Sequence, residues 1–216
     1  MIVPPGLEAM SGSSTRAAVV LAGGGSRRMG VSKAWLDLRG VPVLLHVLRE
    51  VSHACGTVIV VARSGQVLPD LPVGVLRVDD SEAYAGHGPL VAMVTGLSTA
   101  LEAGATTAFL SGCDAPFLTA AHVSFVHEML ARDEHVHAVV PNEGTTKLHV
   151  LAGAVRVEPF VRIGQSLLVA GERRMSALFE HPSVKTVRVE TLPDPRVVRP
   201  CNTPADWHAA LGELDS

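Results

Sequence analysis

The chain is predicted to fold as a single α/β domain, with one doubly wound, mostly parallel sheet and helices on both faces. Three observations carry this. Short β-branched runs alternate with longer segments whose apolar residues recur at helical spacing. Several of the short runs are apolar at every position, as strands buried on both faces are. A length of 216 residues with 47% hydrophobic content supports one substantial core and leaves little for a second.

Taken in order, the first sixteen residues, MIVPPGLEAMSGSSTR, are rich in Pro, Gly and Ser and lack the continuous apolar stretch of a signal peptide. They are expected to form a disordered leader (1–16) ahead of a domain at 17–216. Strands are expected at 17–21, 57–62, 74–78, 106–110, 137–141 and 184–189, and helices at about 43–54, 89–103 and 120–132. Near the end, Thr203, Pro204 and Asp206 supply an N-cap, a proline at the first helical position and an acid at the third, so a last helix should run to about Leu214. Right-handed crossovers place the loops that follow the strands on one edge of such a sheet, where open α/β sheets bind ligands.

Composition narrows the ligand. The net charge is −3 and no block of like charge accumulates, which argues against a nucleic-acid or membrane footprint and for a small, discrete partner. No apolar run approaches the roughly 18 residues that cross a bilayer. Cys55, Cys113 and Cys201 are odd in number and far apart, as expected of reduced thiols in a cytoplasmic protein.

The loop after the first strand holds the strongest signal. Leu21 and Ala22 lead into Gly23, Gly24 and Gly25, whose backbone N–H groups can form a nest for phosphate oxygens; Arg28 and Lys33 add the charge a triphosphate requires. No lysine follows Gly30 as in a Walker A loop, and Arg28 breaks the G-x-G-x-x-G spacing of a dinucleotide site. By itself the segment also reads as a flexible glycine turn with solvated arginines.

Asp114 follows an apolar strand in a turn closed by Pro116, where a carboxylate can hold Mg²⁺ against phosphates or simply stabilise the turn. Asp79 and Asp80 follow the third strand, where one can be an ordinary Asx turn residue. Arg173 and Arg174 match the fork geometry of phosphate binders, yet also suit an exposed helix. His122, His127, His135 and His137 match no metal-ligand spacing, and the first two fall in what reads as a surface helix.

The run LAGGGSRRMGVSK resembles the L-A-G-G-x-S-x-R-M-G-x-x-K signature of the molybdenum cofactor guanylyltransferases, a branch of the nucleotidyltransferase superfamily. GPLVAMVTGL (88–97), SGCDAPFL (111–118), GERRMSAL (171–178) and CNTPADW (201–207) resemble further elements of that family in the same order. The resemblance implies a Rossmann-like nucleotidyltransferase fold and transfer of GMP from GTP to the terminal phosphate of molybdopterin or the molybdenum cofactor, with release of pyrophosphate. It assigns Arg28, Lys33 and Asp114 to catalysis. GTP would lie on Leu21, Ala22, Gly23, Gly24, Lys33, Asp80 and Asp114, with Mg²⁺ on Asp114 and the acceptor near Arg173, Arg174 or Asn202. Proteins that deliver or accept the cofactor would be the further partners.

Three departures from the family pattern stand out: Ser32 where aspartate is common, Val61 in place of an asparagine, and Val150 after His149 in place of proline. Val61 cannot hydrogen-bond through its side chain, which shifts base recognition toward backbone groups and Asp80. Relatives that use CTP resemble L-A-A-G at the loop, so Gly23 favours guanine. The competing readings are a cytidylyltransferase for the same cofactor, a guanylyltransferase for another small phosphate, and a non-catalytic nucleotide-binding module.

Overall fold

The computed structural model describes residues 15–23, 32–80, 88–144, 147–180, 183–199 and 201–214. Along the chain, β1 (Arg16–Leu21) leads to a hairpin of β2 (Asp37–Leu38) and β3 (Val41–Pro42). Next come α1 (Val43–Ser52), β4 (Thr57–Arg63), β5 (Val75–Asp80), α2 (Pro89–Glu102), β6 (Thr107–Gly112) and α3 (Ala120–Ala131). The second half contains β7 (Ala138–Glu143), β8 (Lys147–Leu148), β9 (Ala154–Arg156), α4 (Val157–Val169), β10 (Val184–Arg188) and α5 (Pro204–Leu214).

The main sheet has the order β10-β7-β9-β6-β1-β4-β5, with β8 beside β7. Every pairing in β6-β1-β4-β5 and in β10-β7 is parallel; β9 runs antiparallel to both β6 and β7, and β8 antiparallel to β7. The expected doubly wound, mostly parallel sheet is therefore present, with β9 wedged in the opposite sense between its two halves. Three residues, Ala-Val-Arg, are too few to register as a periodic run, which is why β9 escaped the sequence reading. So did α4, whose pattern is interrupted by Pro159 near its start and Gly164 in its middle.

Alternation along β1 separates two apolar layers. Ala18 and Val20 join the layer shared with Leu44, Leu48, Val123 and Leu130 of α1 and α3, whereas Ala17 and Val19 join that of Leu90, Met93 and Phe160 of α2 and α4. Helix α2 approaches the sheet closely at Gly96, where a Cβ would collide with Val19 and come within 2.8 Å of Val61 Cγ2. The expected surface reading of α3 is corrected here: His122 and His127 are 0% and 2% exposed, because both point into the interior. His122 Nε2 lies 2.8 Å from the carbonyl oxygen of Ala152, and His127 lies 3.7 Å from Cys55 Sγ.

A third, smaller cluster joins Leu36, Leu38 and Val43 to Phe117, Cys201, Trp207 and Ala210, with Trp207 Nε1 donating to the Asp37 carbonyl at 3.2 Å. It clamps α5 onto the β2–β3 hairpin. Helix α5 starts as its sequence requires: the Thr203 hydroxyl accepts from Asp206 N–H at 3.2 Å, and the Asp206 carboxylate accepts from Thr203 N–H at 2.9 Å. The leader reading falls on residues 1–14, outside the described residues, and Arg16 already belongs to β1. No helix among the described residues is long and apolar enough to cross a membrane.

Candidate active site

The C-terminal ends of β1, β4, β5 and β6 form one edge, and the chain's chemistry-bearing residues gather there. Backbone bonds set the frame: Ala22 N–H donates to the Val61 carbonyl at 2.8 Å, and Cys113 N–H to the Leu21 carbonyl at 3.1 Å. Gln66 braces the loop entry from the side, its amide donating to the Ala22 carbonyl at 2.9 Å and accepting from Arg63 N–H at 3.0 Å. Lys33 opens a single 3-10 turn over residues 33–35, held by Leu36 N–H donating to the Lys33 carbonyl.

Two adjoining cavities open on this edge. The larger, about 500 Å³, takes in Leu21, Gly23, Lys33, Arg63 and Asp80, and reaches the start of α2 at Gly88 and Pro89. The smaller, about 270 Å³, is lined by His149, Val150, Arg199 and Cys201 among others. Gly112, Asp114, Leu151, Met175 and Asn202 line both, so they form the wall between them. A cavity of several hundred Å³ is the size small-molecule sites have.

On the larger cavity's side of that wall, an amine is held by two of its residues. Lys33 Nζ donates to Asp114 Oδ2 at 2.5 Å and to Asn202 Oδ1 at 2.9 Å. The Lys33 and Asp114 side chains are 20% and 25% exposed, so the pair is open to an incoming ligand. Behind it, Gly112 leaves room for the carboxylate: a Cβ there would stand 2.7 Å from Asp114 Oδ1.

Asp114 offers hard oxygen donors beside the larger cavity, and among the described residues no group of three or more His, Cys, Asp or Glu could enclose a metal. That donor set fits Mg²⁺, which takes one or two carboxylates and completes its shell with phosphates and water.

The two thiols at the site sit in surroundings that disfavour the thiolate. Burial, aided by the Asp114 charge, pushes the Cys113 thiol up to about 12 and the Cys201 thiol up to about 11. Neither is a thiolate at neutral pH. Burial also lowers the pKa of His149, with Lys147 acting in the same direction, while its Nε2 stands 3.4 Å from Glu143.

Of the residues singled out in the sequence, Leu21, Gly23, Lys33, Asp80, Asp114 and Asn202 share the larger cavity. Ala22 lies just behind it, 3% exposed. Gly24 and Arg28 lie outside the described residues. Arg173 and Arg174 line neither cavity; Arg174 pairs with Glu172 at 2.8 Å and with Glu180 at 3.3 Å. The Arg173 backbone packs on Gly88, whose φ of +85° and lack of a Cβ permit that contact at the start of α2. Val61 is 1% exposed in the core, Ser32 precedes the 3-10 turn without capping it through its side chain, and Val150 lines the smaller cavity. Sequence reasoning missed Arg63 and Gln66; the only signal was an arginine ending an apolar strand at the ligand edge.

Comparison with known proteins places this geometry. The model of the MobA-like NTP transferase domain matches residues 18–188. A protein of Mycobacterium marinum named "Probable molybdenum cofactor guanylyltransferase" is 41% identical over 199 residues, covering 90% of this chain and 92% of that protein. A Mycobacterium tuberculosis protein of the same name is 38% identical over 197 residues, with the same coverage of both chains. Among solved structures, the molybdopterin-guanine dinucleotide biosynthesis protein A of Archaeoglobus fulgidus superposes with a TM-score of 0.71 at 19% identity, covering 92% of this chain and 98% of that one. The 2-C-methyl-D-erythritol 4-phosphate cytidylyltransferase of Thermus thermophilus superposes with a TM-score of 0.68 at 15% identity over the same shares, which speaks for the fold alone.

Proposed function

Because this chain belongs to the MobA-like NTP transferase family, we propose that it transfers GMP from GTP to the terminal phosphate of molybdopterin or the molybdenum cofactor, releasing pyrophosphate. The observation that carries this reading is the shared wall. A nucleotide in the larger cavity and a phosphorylated acceptor in the smaller one would meet at Lys33, Asp114 and Asn202.

The acceptor phosphate is already an anion, so the reaction needs positioning and charge neutralisation rather than a general base. Burial keeps Cys113 and Cys201 protonated, which supports direct in-line transfer over a covalent enzyme intermediate. Lys33 is a compact charge on a flexible stem that can turn from Asp114 to the triphosphate. Asn202, released by that turn, faces the acceptor side. Asp114 would hold Mg²⁺, which supplies charge neutralisation at the phosphates and leaving group. Arg28 and the amides of Gly23 and Gly24 are the sequence's candidates for the rest of the triphosphate. Arg173 and Arg174 remain acceptor candidates only if Arg174 leaves its two glutamates. The buried, unbridged cysteines support a reducing, cytoplasmic setting.

The test is to incubate the purified protein with Mg²⁺, molybdopterin and each of the four NTPs in turn, and to identify the product by mass. A guanine dinucleotide product is expected. A cytosine product would replace the guanine reading, and nucleotide binding without transfer or pyrophosphate release would leave a non-catalytic binding module.

A further inference from the structure

We propose that Arg63 reads the guanine base, donating to its O6 and N7 edge, while Asp80 on the next strand accepts from N1 and the 2-amino group. This rests on the assignment of GTP as the nucleotide.

The placement comes from the sheet. With the phosphates at Lys33 and Asp114 near the end of β6, the larger cavity extends across β1 to β4 and β5. Three strand spacings are about 14 Å, so the base end of a nucleotide falls at the ends of β4 and β5. Those ends are Arg63 and Asp80, which are register partners. A cation and a carboxylate therefore stand side by side at the ends of β4 and β5, lining the larger cavity.

Strand β4 has no other polar side chain to offer there. Val61 is 1% exposed and packs toward Gly96 of α2. The next residue on the same face is two positions on, which is Arg63. Its stem lies against the loop entry, with Cγ 3.3 Å from where a Cβ on Gly23 would be, and its backbone N–H is fixed by Gln66. Its guanidinium is exposed and makes no hydrogen bond or ion pair with the described residues. The stem is held, and the residue lines the larger cavity.

The chemistry suits guanine better than the other bases. Guanine presents two adjacent acceptors, O6 and N7, to which arginine donates in a two-point fork. It also presents N–H donors at N1 and N2, which an ionised carboxylate can only accept. Adenine has no hydrogen on N1, and cytosine no counterpart of the N7 acceptor.

The test measures equilibrium binding of GTP, 7-deaza-GTP, ITP and CTP to the wild-type protein and to Arg63→Met and Arg63→Lys, with melting temperature as the folding control. In 7-deaza-GTP the N7 acceptor is missing. The wild type should favour GTP over 7-deaza-GTP about tenfold, the lower part of the range for a two-point contact to guanine. Arg63→Met should reduce that ratio to about twofold or less while keeping the preference of GTP over ITP, which reports Asp80. Arg63→Lys, which lacks the fork, should lie between. Equal weakening of GTP, 7-deaza-GTP and CTP by Arg63→Met would place the cation on the phosphates and overturn the proposal. So would a GTP to 7-deaza-GTP ratio near one in a wild type that still prefers GTP over CTP, or a ratio of about tenfold that Arg63→Met leaves unchanged. A wild type preferring CTP would instead overturn the nucleotide assignment itself.

Discussion

Replacing Asp114 by asparagine separates the catalytic reading from a structural one. The substitution keeps the size of the side chain and removes the charge that meets Lys33 at 2.5 Å. Because the two side chains are 20% and 25% exposed, water and salt weaken the pair, and its loss should cost no more than about 1 kcal/mol of stability. For a domain of this size that is a fall in Tm of about 2–4 °C. The effect on turnover should be far larger. Asparagine binds a divalent cation poorly, and losing several kcal/mol of transition-state stabilisation lowers the rate by roughly a hundredfold or more, at about 1.4 kcal/mol per tenfold. Thermal melting and magnesium-dependent pyrophosphate release should be measured on one preparation. A well-folded variant keeping more than about a tenth of wild-type turnover at saturating Mg²⁺ would refute the reasoning. A variant that melts much earlier but stays active in its folded fraction would mark Asp114 as structural.

Two further outcomes follow from the packing. Gly112→Ala places a methyl group 2.7 Å from Asp114 Oδ1; the carboxylate must swing away from Lys33, so activity should fall roughly tenfold to a hundredfold with little change in melting, and full activity would count against the geometry. The buried histidines make the fold sensitive to acid: burial holds His127 down at about 3 and lowers His122 from its usual 6.5. The unfolded chain takes up protons first, so stability contributed by these neutral rings is fully present above about pH 6.5 and is lost as pH falls below it, for His127 down to about 3, at up to about 1.4 kcal/mol per pH unit. Urea unfolding at pH 7, 6 and 5 should show a shallower slope for His127→Phe than for the wild type, and identical slopes would contradict the buried, neutral state.

What could be read from the sequence followed the strength of local patterns. Strands such as β4, Thr-Val-Ile-Val-Val-Ala-Arg, are continuous and apolar, so they were recognisable to within a residue or two. Helix α5 was recognisable from three residues at its start. Element β9 was not, because its antiparallel place between β6 and β7 is decided by those neighbours and not by Ala154–Arg156 themselves. The histidines of α3 misled for a related reason: a polar ring reads as surface, whereas His122 is paired to a backbone carbonyl in the interior. At the site, Lys33, Asp114 and Asn202 could each be singled out from motifs, but that one amine holds both partners is a three-dimensional fact. Arg63 carried no motif at all; its role comes from the register that sets it beside Asp80.

The bond between Lys33 and Asn202 joins positions 169 residues apart. As the chain leaves the ribosome, the glycine loop, Lys33 and Asp114 emerge well before the segment that completes their surroundings. Until α5 docks Trp207 against the β2–β3 hairpin, Leu36 and Leu38 lack part of their apolar cover, and Lys33 lacks its Asn202 partner. Contacts of such separation form late, because the intervening chain must first be ordered. A nascent or truncated chain can thus assemble most of its sheet while its reacting centre is still incomplete, which ties competence for chemistry to the arrival of the last helix.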